Sequence, residues 1–150
     1  MTTVQLKSPL PVMAAAEQAC IGSVLLDPTC LSEVSSFLSA NHFGREDHAL
    51  IWQAMLDIFN SGQQPDYIIT ASLLKSRSQL DDLGDGGGVQ GAAYLRSLEN
   101  ASTGSALIGY YARQVYQTAI KRQAVLAALE QIDYVYGYTE PDITELCDKV

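Results

Sequence analysis

At 150 residues, 47% of them hydrophobic, the chain is long enough for one domain with a packed core and too apolar for a disordered tail. No run reaches the roughly 18 unbroken apolar residues that a membrane-spanning helix needs. A net charge of −8 opposes a grip on the nucleic-acid backbone, which rests on cationic contacts, so little direct DNA binding is expected of these residues.

Residues 1–13, with Pro9 and Pro11, read as a flexible arm rather than a signal peptide, the apolar run being short and weak. A first helix fits Ala15 to Leu26 and stops at Asp27-Pro28, because the residue before proline is pushed out of the helical region. A second fits Leu31 to Leu38, with Val34, Phe37 and Leu38 as its apolar stripe. The clearest amphipathic segment is Asp47 to Asn60, where Leu50, Ile51, Ala54, Met55, Ile58 and Phe59 share one face. Asn60-Ser61-Gly62 ends it, and Thr70 is the candidate N-cap of a helix running to Arg77.

The stretch Asp81 to Gly91 is an acidic, glycine-rich loop. Helix resumes near Val89 or Ala92 and breaks at Thr103-Gly104-Ser105. From Ser105 to about Tyr136 there is no proline, which predicts one helix of about 30 residues and about 45 Å. Ile108, Ala112, Val115, Ala119, Arg122, Leu126, Leu129 and Asp133 follow an alternating four–three spacing, a heptad-like seam with two charged interruptions. A turn at Gly137–Pro141 leads to a new stripe of Ile143, Leu146, Cys147 and Val150. One or two turns cannot hold themselves, so the chain is expected to be a fragment whose last helix returns along the long one as a hairpin. The fold class expected is all-α: a helical globule over 14–103 and a hairpin, its second helix incomplete, over 104–150. Ile108, Ala112, Val115, Ala119, Arg122, Leu126, Leu129, Ile143 and Leu146 are the candidate surface for self-association or partner docking.

No pattern of catalytic residues stands out. Gly86-Gly87-Gly88-Val89-Gln90-Gly91 matches G-x-G-x-x-G, but a dinucleotide site needs a preceding strand, and acidic turn residues stand there instead. Leu83 and Ala92 occupy positions where a calcium loop needs ligands. There is no P-loop, G-x-S-x-G or H-E-x-x-H. His42 and His48 have no cysteine at ligand spacing, and Cys20, Cys30 and Cys147 read as reduced thiols of a cytoplasmic protein. His48 reads as a structural histidine at the start of the third helix. Catalytic, cofactor and metal residues are therefore expected to be none.

The order of short motifs resembles the N-terminal domain of DnaB-family replicative DNA helicases. Pro11, Ala16-Glu17-Gln18 and Ile21-Gly22-Ser23-Val24-Leu25-Leu26-Asp27 resemble its opening. Phe43, His48 and Ile51-Trp52 follow, then Gly62 to Asp66 with Thr70, Leu73-Leu74, the glycine loop and Tyr94-Leu95. Tyr111-Ala112, Val115 and Arg122 resemble the family's long helix. Three departures stand out: a longer 81–91 loop, Leu107 where an asparagine is frequent, and Gly44 where an aromatic is expected.

The resemblance implies a helical globule plus hairpin, pairing between subunits in a hexamer collar, and docking of primase and, in some members, a helicase loader. It further implies that ATP and magnesium serve only a separate ATPase domain of a parent helicase that unwinds DNA 5′ to 3′. A free-standing helical adaptor or loader-like regulator without that domain is the alternative.

Overall fold

A computed structural model of the chain describes residues 9–84, 86–138 and 147–148. Among these residues there are five α-helices and no strand: α1 (Ala14–Leu26), α2 (Glu46–Asn60), α3 (Tyr67–Ser76), α4 (Gly91–Ala101) and α5 (Ile108–Gly137). No helix among them is long and apolar enough to cross a membrane.

The centre of the fold is α1, which is buried on nearly all sides because α2, α4 and α5 all pack on it. Gly22 makes the approach of α4 possible. A Cβ there would stand 2.5 Å from the Leu98 carbonyl oxygen of α4. Ile21, Val24, Ile51, Trp52, Met55, Leu74, Leu95 and Ile108 are fully buried around it. Trp52 keeps its indole N–H satisfied by donating to the Leu38 carbonyl at 3.0 Å.

Local chemistry explains where the helices stop. Asp27 ends α1 and accepts from the Thr29 amide, so the chain re-enters a 3-10 segment at Pro28–Glu33. The α-helix expected over Leu31–Leu38 is absent; that segment is 3-10 followed by turns. Leu31, Val34 and Leu38 are buried as their spacing suggested, but Phe37 turns outward against Tyr116. Gly62 closes α2 with φ +86°, and the Gln63 amide reaches back to the Ile58 carbonyl, a Schellman ending.

Thr70 is not a cap. Asp66 fills that role, accepting from the Ile69 amide at 2.8 Å, and Thr70 lies one turn inside α3, fully buried. The acidic loop contains a short 3-10 turn at Leu80–Asp82, and Leu83 plugs into the core from it.

Two boundaries also move. The globule does not end at residue 103, because Ile108, Ala112 and Val115 of α5 belong to the same core as α1. Nor are residues 9–13 a loose arm: the Pro11 carbonyl accepts from Arg122, and the Val12 methyls stand against Gly44. Of the turn expected at Gly137–Pro141, Gly137 ends α5 and Tyr138 is its C-cap, whereas residues 139–141, like residues 1–8, lie outside the described residues.

Candidate interaction surface

The most elaborate polar arrangement is buried and structural. Glu17 of α1 is 1% exposed, and its carboxylate accepts from the Gly44 amide at 2.7 Å and the Arg45 amide at 3.2 Å. His48 Nδ1 stands 2.8 Å from Glu17 Oε1 and Nε2 2.7 Å from the Tyr94 hydroxyl. A carboxylate only accepts, so Nδ1 donates; Nε2 pairs with the Tyr94 hydroxyl, which also accepts from Gln18 at 3.4 Å. Every donor facing Glu17 is satisfied, which is what allows a carboxylate to sit in the core. The network ties the starts of α1 and α2 to α4. His48 is thus the structural histidine expected, and Glu17 is the partner that sequence reading left unassigned.

Beside it, Asp47 accepts from Arg45 at 2.6 Å and from the Gly84 amide at 3.0 Å. Burial tends to raise the Asp47 pKa, but the Arg45 and Gly84 hydrogen bonds outweigh it, and the carboxyl sits below its ordinary range. Burial, reinforced by Glu17 for Cys20 and by Asp27 for Cys30, pushes both thiols up to about 12, so neither is a reactive thiolate. No cluster of three or more His, Cys, Asp or Glu side chains among the described residues is arranged to hold a metal ion.

The long helix divides into two parts. Ile108, Ala112, Val115 and Ala119 are at most 1% exposed, all turned into this chain's own globule. This corrects the expectation that they form an intermolecular seam: they are spent on the core. Arg122 is half-buried and also committed within the chain, donating from Nη1 to the Pro11 carbonyl at 3.0 Å and from Nη2 to the His42 carbonyl at 2.9 Å.

Beyond Arg122 the helix continues for about four turns with no buried residue. Its apolar residues change face there. At about 100° per residue, Val125, Leu129, Ile132 and Tyr136 form a stripe roughly 100° round the helix from the buried one. The seam expected from the sequence runs on instead through Leu126, Leu129 and Asp133, although a strict heptad drifts by about 20° per repeat on a straight helix. Leu129 is the one residue that this stripe shares with the expected seam.

Ile132 is 38% exposed, Val135 44% and Tyr136 67%. Ala128, Gln131, Ile132, Val135 and Tyr136 line a shallow hollow of about 400 Å³ along this side. Leu126, 42% exposed, lies on the older seam past the edge of the globule. Of the candidate residues, then, Leu126 and Leu129 stand on the projecting segment, and Ile143 and Leu146 lie outside the described residues.

A family model described as the DnaB-like helicase N terminal domain matches residues 9–117. The replicative DNA helicase DnaB of Treponema pallidum (strain Nichols) is 35% identical over 127 residues, covering 84% of this chain and 28% of that protein. The replicative DNA helicase DnaB of Mycobacterium leprae (strain TN) is 31% identical over 140 residues, covering 93% of this chain and 22% of that one. The chain thus spans about a quarter of the length of these curated relatives.

Among solved structures, the N-terminal domain of DnaB helicase from Mycobacterium tuberculosis superposes with a TM-score of 0.83 at 31% identity, covering 94% of both chains. A DnaB-like replicative helicase whose structure was described with its interactions with primase gives a TM-score of 0.67 at 25% identity. It covers 89% of this chain and 30% of the other.

Proposed function

The chain belongs to the DnaB-like helicase N-terminal domain family, and from that premise we propose that it is the assembly and docking module of a replicative DNA helicase. In this reading, copies pair through the projecting half of α5 and build a collar that receives primase. One observation carries it. The Val125–Leu129–Ile132–Tyr136 stripe has the four–three spacing of a helix-packing seam, with Val125 and Leu129 half-buried and Ile132 and Tyr136 exposed. A helix of this length does not hold an apolar face in water unless a partner covers it.

Two further points support the assignment. Net charge −8 suits a protein-docking role better than a grip on DNA. The primase partner is argued from the DnaB-like relative described with its interactions with primase. A helicase loader is a further partner of the same surface class. We place the ATP- and magnesium-dependent unwinding, 5′ to 3′, outside these 150 residues, and the whole protein in the cytoplasm.

Placing a charge on the stripe tests the pairing. Leu129→Asp and Ile132→Asp are expected to lower the sedimenting mass at a given concentration while the helical signal and the melting of the globule stay unchanged. Unchanged mass in both variants, with helicity retained, refutes pairing through this face.

A further inference from the structure

Three segments meet where α5 leaves the globule. Arg122 gives one Nη to the Pro11 carbonyl and the other to the His42 carbonyl, so one side chain joins the N-terminal segment, the turn before α2 and the long helix. No carboxylate lies within ion-pair reach of its guanidinium among the described residues. The charge is satisfied by main-chain oxygens alone, which the rigid guanidinium fork suits and a lysine does not.

Gly44 completes the seat. A Cβ at Gly44 would fall 2.6 and 2.8 Å from the two Val12 methyls and 3.1 Å from Arg122 Nη1. Its φ lies outside the left-handed region, so the backbone does not require glycine here. What requires it is the space that Val12 fills. The family resemblance leads one to expect an aromatic near this position, which would close that space.

We propose that residues 9–13 form a strap seated in a notch built by Gly44 and Arg122, and that this latch couples the N-terminal segment to the exit of α5. Val12 supplies the apolar contact and Pro11 the carbonyl. Because Gly44 and Arg122 act on the same seat, losing either releases the strap, and losing both adds nothing. The latch concerns contacts within one chain and does not rest on the pairing of copies.

The test is a distance measurement by pulsed electron spin resonance on the full chain. Nitroxides are carried on Pro9→Cys and Asn60→Cys in a Cys147→Ser background, with labelled protein diluted in unlabelled. Asn60 and Pro9 are exposed, and Cys20 and Cys30 are buried. The expected result is one narrow distance peak, lost on Arg122→Ala and equally on Gly44→Ala, with the double variant no broader than either. Arg122→Lys keeps part of the narrow population. Val12→Ser, a change in the strap itself and 41% exposed, broadens the peak without lowering the thermal midpoint, which separates release from unfolding. A broad distribution in the parent chain, a peak unmoved by Gly44→Ala or by Arg122→Ala, or additive broadening in the double variant overturns the proposal.

Discussion

Replacing Glu17 by glutamine changes one oxygen to an amide and tests whether the buried network holds the fold together. The carboxylate receives three donors: His48 Nδ1 and the Arg45 amide at Oε1, and the Gly44 amide at Oε2. Glutamine has a single carbonyl oxygen. Placed at the Oε1 position it still accepts from His48 and Arg45, but its NH2 then faces the Gly44 N–H, donor against donor. One buried amide is orphaned, at about 1–3 kcal/mol, and two charge-assisted bonds become ordinary ones, at about 0.5–1 kcal/mol each. Flipping the amide orphans two donors instead of one and costs more. A His48 ring flip leaves the Gly44 conflict in place.

Glu17→Gln is therefore expected to lose about 2–5 kcal/mol, a large share of a typical domain's 5–15 kcal/mol. The thermal midpoint would fall by on the order of 10 °C. Urea unfolding followed at the helical circular dichroism band is the assay, read as a lower midpoint at unchanged slope. A loss under about 0.5 kcal/mol would show that the network is not the support described here.

Thr70 Oγ1 is buried without a hydrogen-bond partner among the described residues, so Thr70→Val, which keeps the shape, is expected to stabilise by about 1 kcal/mol; a loss of that size in the same urea assay refutes it. Gly22→Ala should destabilise by about 1–3 kcal/mol despite the better helix propensity of alanine, because the new methyl meets the Leu98 carbonyl; a higher thermal midpoint would contradict the close crossing of α1 and α4. Asp27, through the Thr29 and Ser105 hydroxyls, is held below its ordinary 3.8, and so is Asp47. Their contribution is full above that value and drains away as pH falls below it toward the lower folded-state pKa values. Asp47→Asn should flatten the acid limb of a stability–pH curve, and an unchanged limb counts against the Arg45 and Gly84 bonds as its source.

Much of the fold was legible because periodic spacing and breakers act locally. Asp27-Pro28, Gly62 and the glycine loop punctuate the chain where backbone chemistry demands it, and α1, α2 and α5 lie close to their expected bounds. The segment after Pro28 misled because Leu31, Val34 and Leu38 are spaced as in a helix. A 3-10 turn followed by tighter turns buries the same residues. Thr70 misled because Asp66 is an equally good cap four residues earlier.

The surface was harder to read than the core. Helical spacing says that Ile108, Ala112, Val115 and Ala119 share a face, but not whether that face meets the chain's own α1 or another molecule. Only the packed structure shows the stripe ending at Ala119 and a second one starting at Val125. Glu17 was hidden for a related reason. A glutamate in a first helical turn is ordinary, and nothing in its neighbours announces two main-chain amides arriving from residues 44 and 45. Gly44 was visible as a departure from the family pattern, but its reason, the Val12 side chain, comes from a segment 32 residues away in the chain.

The central claim is that the projecting half of α5 is an assembly face, and sedimentation equilibrium of the 150-residue chain over a wide concentration range tests it most directly. The account predicts reversible self-association that Leu129→Asp abolishes while the globule still melts cooperatively at the same temperature. A strict monomer at every concentration, or association untouched by Leu129→Asp and Ile132→Asp, contradicts it.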